Sequence, residues 1–251
     1  MEEDAIMAGG RSYTIVYEAT KYRTASAKLN EDKIVIRIPA NIGAAKAQEI
    51  SQKLRDRILR KLSNGTFPVA KAEIAFEDKQ LVKIGGQSFT IAVIASGSVR
   101  MPRAHMDGNN ITITLPDRLS DTARRSAISR TVRLSLSYAL APVIEARVQE
   151  LNSVHFGSKL GVIRLKDNVS NWGSCSKRNN INLDFRLLFA PREVMDAVIL
   201  HELAHTHYRN HSKEFYRLLL NAMPDYKGHM RWLISNADKL KPDTFPSMPP
   251  M

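Results

Sequence analysis

The sequence predicts an α+β chain: a β-rich N-terminal region that holds one amphipathic helix, then a compact, helix-dominated domain. Three observations carry this prediction. Short strand-like apolar runs, bounded by turn residues, occupy the stretch before residue 117. One segment there, 43–63, switches to a helical period. After 117 helical patterns dominate, and one apolar helix ends in a group of histidines. The boundary near 117 gives regions 1–116 and 117–240, with a Pro-rich tail at 241–251 that is expected to fray.

Taken in order, residues 12–18 (SYTIVYE) and 33–39 (KIVIRIP) read as strands. In the second, Ile34, Ile36 and Ile38 alternate to give one buried face. Asn30-Glu31-Asp32 supplies turn chemistry before it. Over 43–63, Ile50, Leu54, Ile58 and Leu62 recur every four residues with Lys and Arg between them, which makes a helix with a basic outer face. Asn64-Gly65 follows as its C-cap. Gly85-Gly86 signals a hairpin over 81–95, and Asp107-Gly108-Asn109-Asn110 signals another that leads into a strand at 111–116. Ser120-Asp121 opens a long helix over 121–152. Its apolar stripe is Ile128, Val132, Leu136, Leu140, Val143 and Ile144; Arg124, Arg125, Arg130 and Arg133 crowd its first half; Pro142 is placed to kink or divide it. Strands at 161–167 and 179–185 precede helices at 191–208, 212–222 and 226–240. No internal repeat or low-complexity tract is legible.

Composition narrows the setting. The chain has 251 residues, 43% of them hydrophobic, enough to bury a sizeable core. A net charge of +12 favours polyanions, so nucleic acid is a candidate partner beside a peptide or protein substrate. The one cysteine, Cys175, excludes an intrachain disulfide and a Cys-rich zinc site. The amino terminus, MEEDAIMAGG, lacks the layout of a signal peptide, and no apolar run is long enough to span a membrane. A cytoplasmic protein without a membrane partner is expected; nothing sets its oligomeric state.

The chemistry concentrates in DAVILHELAHTHYRNHSKEFY, residues 196–216, which holds four of the seven histidines. On a helix His201 and His205 lie one turn apart on one face, so both imidazoles can meet one metal. Zinc takes imidazole nitrogen at about 2.0–2.1 Å, and a catalytic zinc keeps three protein ligands and a water. Glu202, beside the first ligand, is placed to take a proton from that water. Val194, Met195, Ala197, Val198, Ile199 and Leu200 make the preceding helix a buried one that holds ligands stiffly. His211 is the favoured third ligand, because Asn210 tolerates a left-handed conformation and Ser212 can cap a new helix. Glu214 is the alternative. His207, two residues past His205, points elsewhere, while His105, His155 and His229 stand isolated.

Several stretches resemble one known family. They are Asn171-Trp172-Gly173-Ser174-Cys175-Ser176, the Pro-x-x-Val-x-x-x-Val-x-x-His-Glu-Leu-x-His spacing from Pro191, Asn210-His211-Ser212 with Phe215, and MPDYK at 223–227. Together they look like the YgjP-like metal-dependent hydrolases, small zincin-type metallopeptidases also called minigluzincins and related to the SprT-like and WLM proteases. Weaker similarity reaches Tyr22-Arg23 and the Gly-rich hairpin. The resemblance implies a zincin-type domain around the HExxH helix, zinc held by His201, His205 and His211, and Glu202 as catalytic base. Tyr216 stands where the family commonly has Trp, and Asp184 where it often has Asn. Zincin sites lie beside an edge strand that pairs with extended peptide, so Asn171, Trp172, Gly173 and Ser174 are candidate cleft residues. Three functions fit: a zinc peptidase, a protease recruited to nucleic acid, and a non-catalytic zinc-stabilised binding module.

Overall fold

Strand β1 (Glu3–Ala8) pairs antiparallel with β2 (Arg11–Thr20), while β3 (Ser26–Asn30) pairs antiparallel with β4 (Lys33–Pro39). The parallel pairing of β2 with β4 joins them into one sheet, ordered β1-β2-β4-β3. Tyr13, Ile15, Ile34 and Ile36 are its most deeply buried residues. Helix α1 (Ala44–Ser63) follows and packs on β4, with Ile58 buried. The computed structural model describes residues 3–8, 11–30, 33–63, 74–84, 86–168 and 171–242. The Glu31-Asp32 turn and the Asn64-Gly65 cap therefore lie outside the described residues. Two compact units result: the described residues up to 63 with Met230–Asp238, and those from 74 to 229 with Lys239 onward.

The second unit contains a sheet of the same design. Strands β5 (Leu81–Ile84), β6 (Gln87–Ala95), β7 (Arg103–Asp107) and β8 (Asn110–Leu115) are ordered β5-β6-β8-β7. The register repeats as well as the order. The β1–β2 pair Ile6 with Tyr13 recurs 76 positions later as Val82 with Phe89. The β3–β4 pair Ser26 with Arg37 recurs 77 positions later as Arg103 with Thr114. The parallel pair Ile15 with Ile34 becomes Ile91 with Ile111. Helix α1 begins at Ala44 and α2 (Asp121–His155) at Asp121, again 77 apart. The chain thus contains an internal repeat, two hairpins and a helix used twice. Ser-aromatic-Thr-Ile (12–15 and 88–91) and the Ile-x-Ile-x-Ile/Leu-Pro runs (34–39 and 111–116) are its clearest traces in the residues.

Of the kink or division expected at Pro142, the division does not occur: helix α2 runs unbroken through it. Pro142 is exposed, so the carbonyl that loses its partner four residues earlier, on exposed Tyr138, faces water. The buried stripe is Ile128, Val132, Leu136, Leu140, Ile144, Val148 and Leu151. It packs against β7, β8, β9 (Ile163–Lys166) and α3 (Arg192–Ala204). Of the four arginines in its first half, Arg133 is committed internally: it bonds the Ile74 carbonyl at 3.2 Å and Asp167 at 3.3 Å. No described helix is long and apolar enough to cross a membrane.

A three-stranded sheet completes this unit. Strand β11 (Ile181–Asp184) lies between β9, parallel to it, and β10 (Gly173–Cys175), antiparallel to it. Helix α3 packs on β10 and β11 and is tied to α2 by Arg147, whose Nε and Nη2 reach Asp196 at 2.9 and 2.5 Å. Both partners of this fork are largely buried; Arg147 Nη1 also pairs with exposed Glu150 at 2.7 Å, so losing Asp196 leaves the Nε and Nη2 donors unpaired in the interior. Asp196→Ala should lower the unfolding free energy by about 2–3 kcal/mol in a urea titration. A change below about 0.5 kcal/mol would mean that the arginine finds water instead. Helices α4 (Lys213–Ala222) and α5 (Tyr226–Ser235) close the described chain, with short 3-10 turns at Phe185–Phe189 and Ala237–Lys239.

Candidate metal centre

The centre is built at the end of α3. The helix is buried along Val194–Leu200, which fixes its rotation. It stops at Ala204 rather than continuing to 208. Thr206 N bonds the Leu203 carbonyl and His207 N the Ala204 carbonyl, tightening the last turn. His205 is the C-cap and keeps right-handed helical backbone, so it still lies one turn from His201 on the same face. The return to His211 needs no left-handed residue: Asn210 is not among the described positive-φ positions. Ser212 then caps α4, its Oγ accepting from Phe215 N at 3.3 Å.

Among the described residues, His201, His205 and His211 form the group able to hold a metal, their ligand nitrogens all within 4.8 Å of one another. His201 Nε2 and His211 Nε2 are 3.1 Å apart. Two nitrogens bound tetrahedrally to one zinc at about 2.0–2.1 Å would stand about 3.3 Å apart, so the observed spacing fits a shared cation. His205 Nδ1 donates to the Tyr208 carbonyl at 2.9 Å. A carbonyl only accepts, which fixes the proton on Nδ1 and leaves Nε2 with its lone pair. Phe215, fully buried, makes an aromatic floor, with ring centres 5.1, 4.7 and 4.9 Å from those of His201, His205 and His211. Burial, seconded by the neighbouring histidines, lowers the His201 pKa to about 3. Burial also lowers His205 and His211. Neutral imidazoles are what a metal requires.

Glu202 is 5% exposed, and burial raises its pKa from 4.5 to about 8. Gly173 of β10 lies against it: a Cβ built there would fall 2.6 Å from Glu202 Oε1 and Cγ. The structure therefore brings Gly173 together with Glu202. It places Trp172 in the core and Asn171 at the surface, where its amide donates to the Gly173 carbonyl at 2.7 Å. Ser174 Oγ turns to Asn182 Nδ2 at 3.0 Å. Glu214 is exposed at the first turn of α4, bonded to Ser212, and stays out of the histidine group. His207 sits away from it as well, with Nε2 beside Ser158 Oγ at 3.0 Å and the Phe156 carbonyl at 3.2 Å.

Three partners of the centre carry no spacing signal in the sequence. Tyr226 places its hydroxyl 2.8 Å from His201 Nδ1. Phe215 supplies the floor. Arg209 bonds Cys175 Sγ at 3.3 Å, the Ser176 carbonyl at 2.7 Å and Asn179 Oδ1 at 2.6 Å, which ties the ligand loop to the β10–β11 turn. Tyr226 falls inside MPDYK, so the family resemblance marked its neighbourhood without marking its contact.

The buried groups give the metal-free protein a defined pH response. Glu202 is raised in the fold, so its contribution to stability is full below pH 4.5 and is lost as pH rises through about 8. His201 is lowered, so its contribution is full above pH 6.5 and is lost as pH falls towards 3. Glu202→Gln removes only the alkaline loss. The melting temperature of the metal-free variant should therefore gain on wild type between pH 5 and pH 9; a constant difference would show that Glu202 is not desolvated.

Three comparisons with known proteins bear on this centre. No curated protein and no solved structure matches the chain. The family model of the YgjP-like metallopeptidase domain matches residues 23–236, from the segment between β2 and β3 through α5 and across the whole histidine group. A match of that extent, over a centre whose donors suit a metal ion, places this chain in the YgjP-like metallopeptidase domain family.

Proposed function

We propose that the protein is a zinc-dependent peptidase that hydrolyses peptide bonds in extended protein segments, with Glu202 as general base. The observation that carries this reading is the convergence of three imidazole nitrogens beside a buried carboxylate one residue after the first of them. His201, His205 and His211 would hold the ion through unprotonated nitrogens. Bound there, zinc supplies Lewis acidity and makes water acidic enough to ionise near neutral pH. Glu202 accepts the proton of the attacking water on a carboxylate oxygen and returns it to the leaving amide nitrogen. Strand β10 is the edge of its sheet, and an extended peptide can add to such an edge through main-chain hydrogen bonds. Gly173 lets that edge run close to Glu202, so a peptide aligned on β10 would pass the carboxylate.

The test is cleavage of a fluorescently labelled unfolded protein by the zinc-loaded enzyme. Activity should vanish on chelation and return with equimolar zinc. Equal activity of the stripped and loaded protein would exclude the reading.

A further inference from the structure

We propose that Tyr226 is a positioning residue for the centre: its hydroxyl, 2.8 Å from His201 Nδ1, sets which nitrogen of His201 faces the other histidines. The inference rests on the reading of His201 as a metal ligand.

Three observations support it. Tyr226 is 5% exposed, so a hydroxyl there needs an internal partner, and His201 Nδ1 is within hydrogen-bond distance. The two ring planes are only 18° apart with centres 5.9 Å apart, which suits a hydrogen bond in the imidazole plane, while Phe215 meets His201 edge-on at 5.1 Å. The imidazole is therefore held by aromatic packing as well as bonded. The opposite nitrogen, Nε2, is the one 3.1 Å from His211 Nε2.

The choice of a phenol has a consequence that a carbonyl would not. Without a cation, two neutral imidazole nitrogens 3.1 Å apart share one proton, which can sit on His201 Nε2. His201 Nδ1 then accepts from the Tyr226 hydroxyl. With a cation on Nε2, Nδ1 carries the proton and donates to the same hydroxyl oxygen. A phenol serves both arrangements by rotating its O–H, since it donates and accepts. His205 differs, because the Tyr208 carbonyl holds its proton on Nδ1 in either case. Tyr226 thus satisfies His201 before loading and orients it after loading. Removing the hydroxyl leaves a buried Nδ1–H unpaired in the loaded state, and such outer partners commonly set metal affinity by about 10–100-fold.

The experiment measures zinc affinity by chelator competition for wild type and Tyr226→Phe, together with the long-range proton–nitrogen NMR spectrum of the imidazoles in wild type with and without zinc. Tyr226→Phe should bind zinc at least about tenfold more weakly than wild type, while the metal-free variant still folds, its melting temperature lowered only as the loss of one buried hydrogen bond requires. The zinc-loaded wild type should show His201 protonated on Nδ1 and coordinated through Nε2. Unaltered affinity in Tyr226→Phe, or coordination of His201 through Nδ1, overturns the proposal while leaving the metal site intact. Should the variant fail to fold, the wild-type spectrum decides alone. Wild type that binds no zinc overturns the metal-site reading itself, and this inference with it.

Discussion

Glu202→Gln is expected to lower kcat/KM on an unfolded protein substrate by about 10²–10⁴-fold, the usual span for a general base. The replacement is close to isosteric, and the residue is 5% exposed, so little repacking follows. The amide cannot take a proton from water at the carbonyl under attack, and this is the lost function. His201, His205 and His211 are untouched, so zinc content should stay equimolar. Folding should also survive: burial already favours the neutral carboxyl, and a neutral amide is a fair substitute. The three outcomes of activity, zinc content and melting temperature must therefore separate. A variant as active as wild type would remove Glu202 as the base; wild type and variant equally inactive on every substrate would leave the metal with a binding role only, as a non-catalytic zinc module requires.

Gly173→Ala should be nearly as damaging, for a steric reason. Its Cβ would stand 2.6 Å from Glu202 Cγ and Oε1 and 2.9 Å from Cδ, distances that real side chains do not tolerate. The glycine is needed for space, since its backbone is not among the positive-φ positions. Relief must come from β10 or from the Glu202 carboxylate. Strand β10 is held to β11 through Gly173 with Leu183 and Cys175 with Ile181, so the carboxylate is the softer element. Displacing a catalytic group by about 1 Å can cost about 10²-fold in rate. Loss of activity with zinc content unchanged is expected; full activity would show that the base does not work from this position.

Much of the framework was legible in the residues because its signals are local. The alternation of Ile34, Ile36 and Ile38 marks β4, and the four-residue spacing from Ile128 to Leu140 marks the core face of α2. His201 and His205 are readable for the same reason, since helical spacing alone puts them on one face. What escaped depends on pairing at a distance. Strand β1, EDAIMA, has little strand character by itself and is defined by its register against β2. The internal repeat survives in register more than in residue identity, so a reading of residue types passes over it. Pro142 looked like a break because its exposure on α2 is a tertiary fact. Tyr226 reaches His201 across 25 positions and Gly173 reaches Glu202 across 29, contacts that no spacing rule announces. Sequence also kept Glu214 open as third ligand. The fold closes His211 onto the group because Ser212 caps α4 and turns Glu214 outward to the cap.

That last distinction gives the most direct test of the centre. Zinc bound per chain is to be measured by elemental analysis for wild type, His211→Ala and Glu214→Ala, after equal loading and desalting. Three histidines as the metal shell predict equimolar zinc in wild type and Glu214→Ala and its loss from folded His211→Ala. Zinc retained in full by His211→Ala and lost from Glu214→Ala would contradict the account.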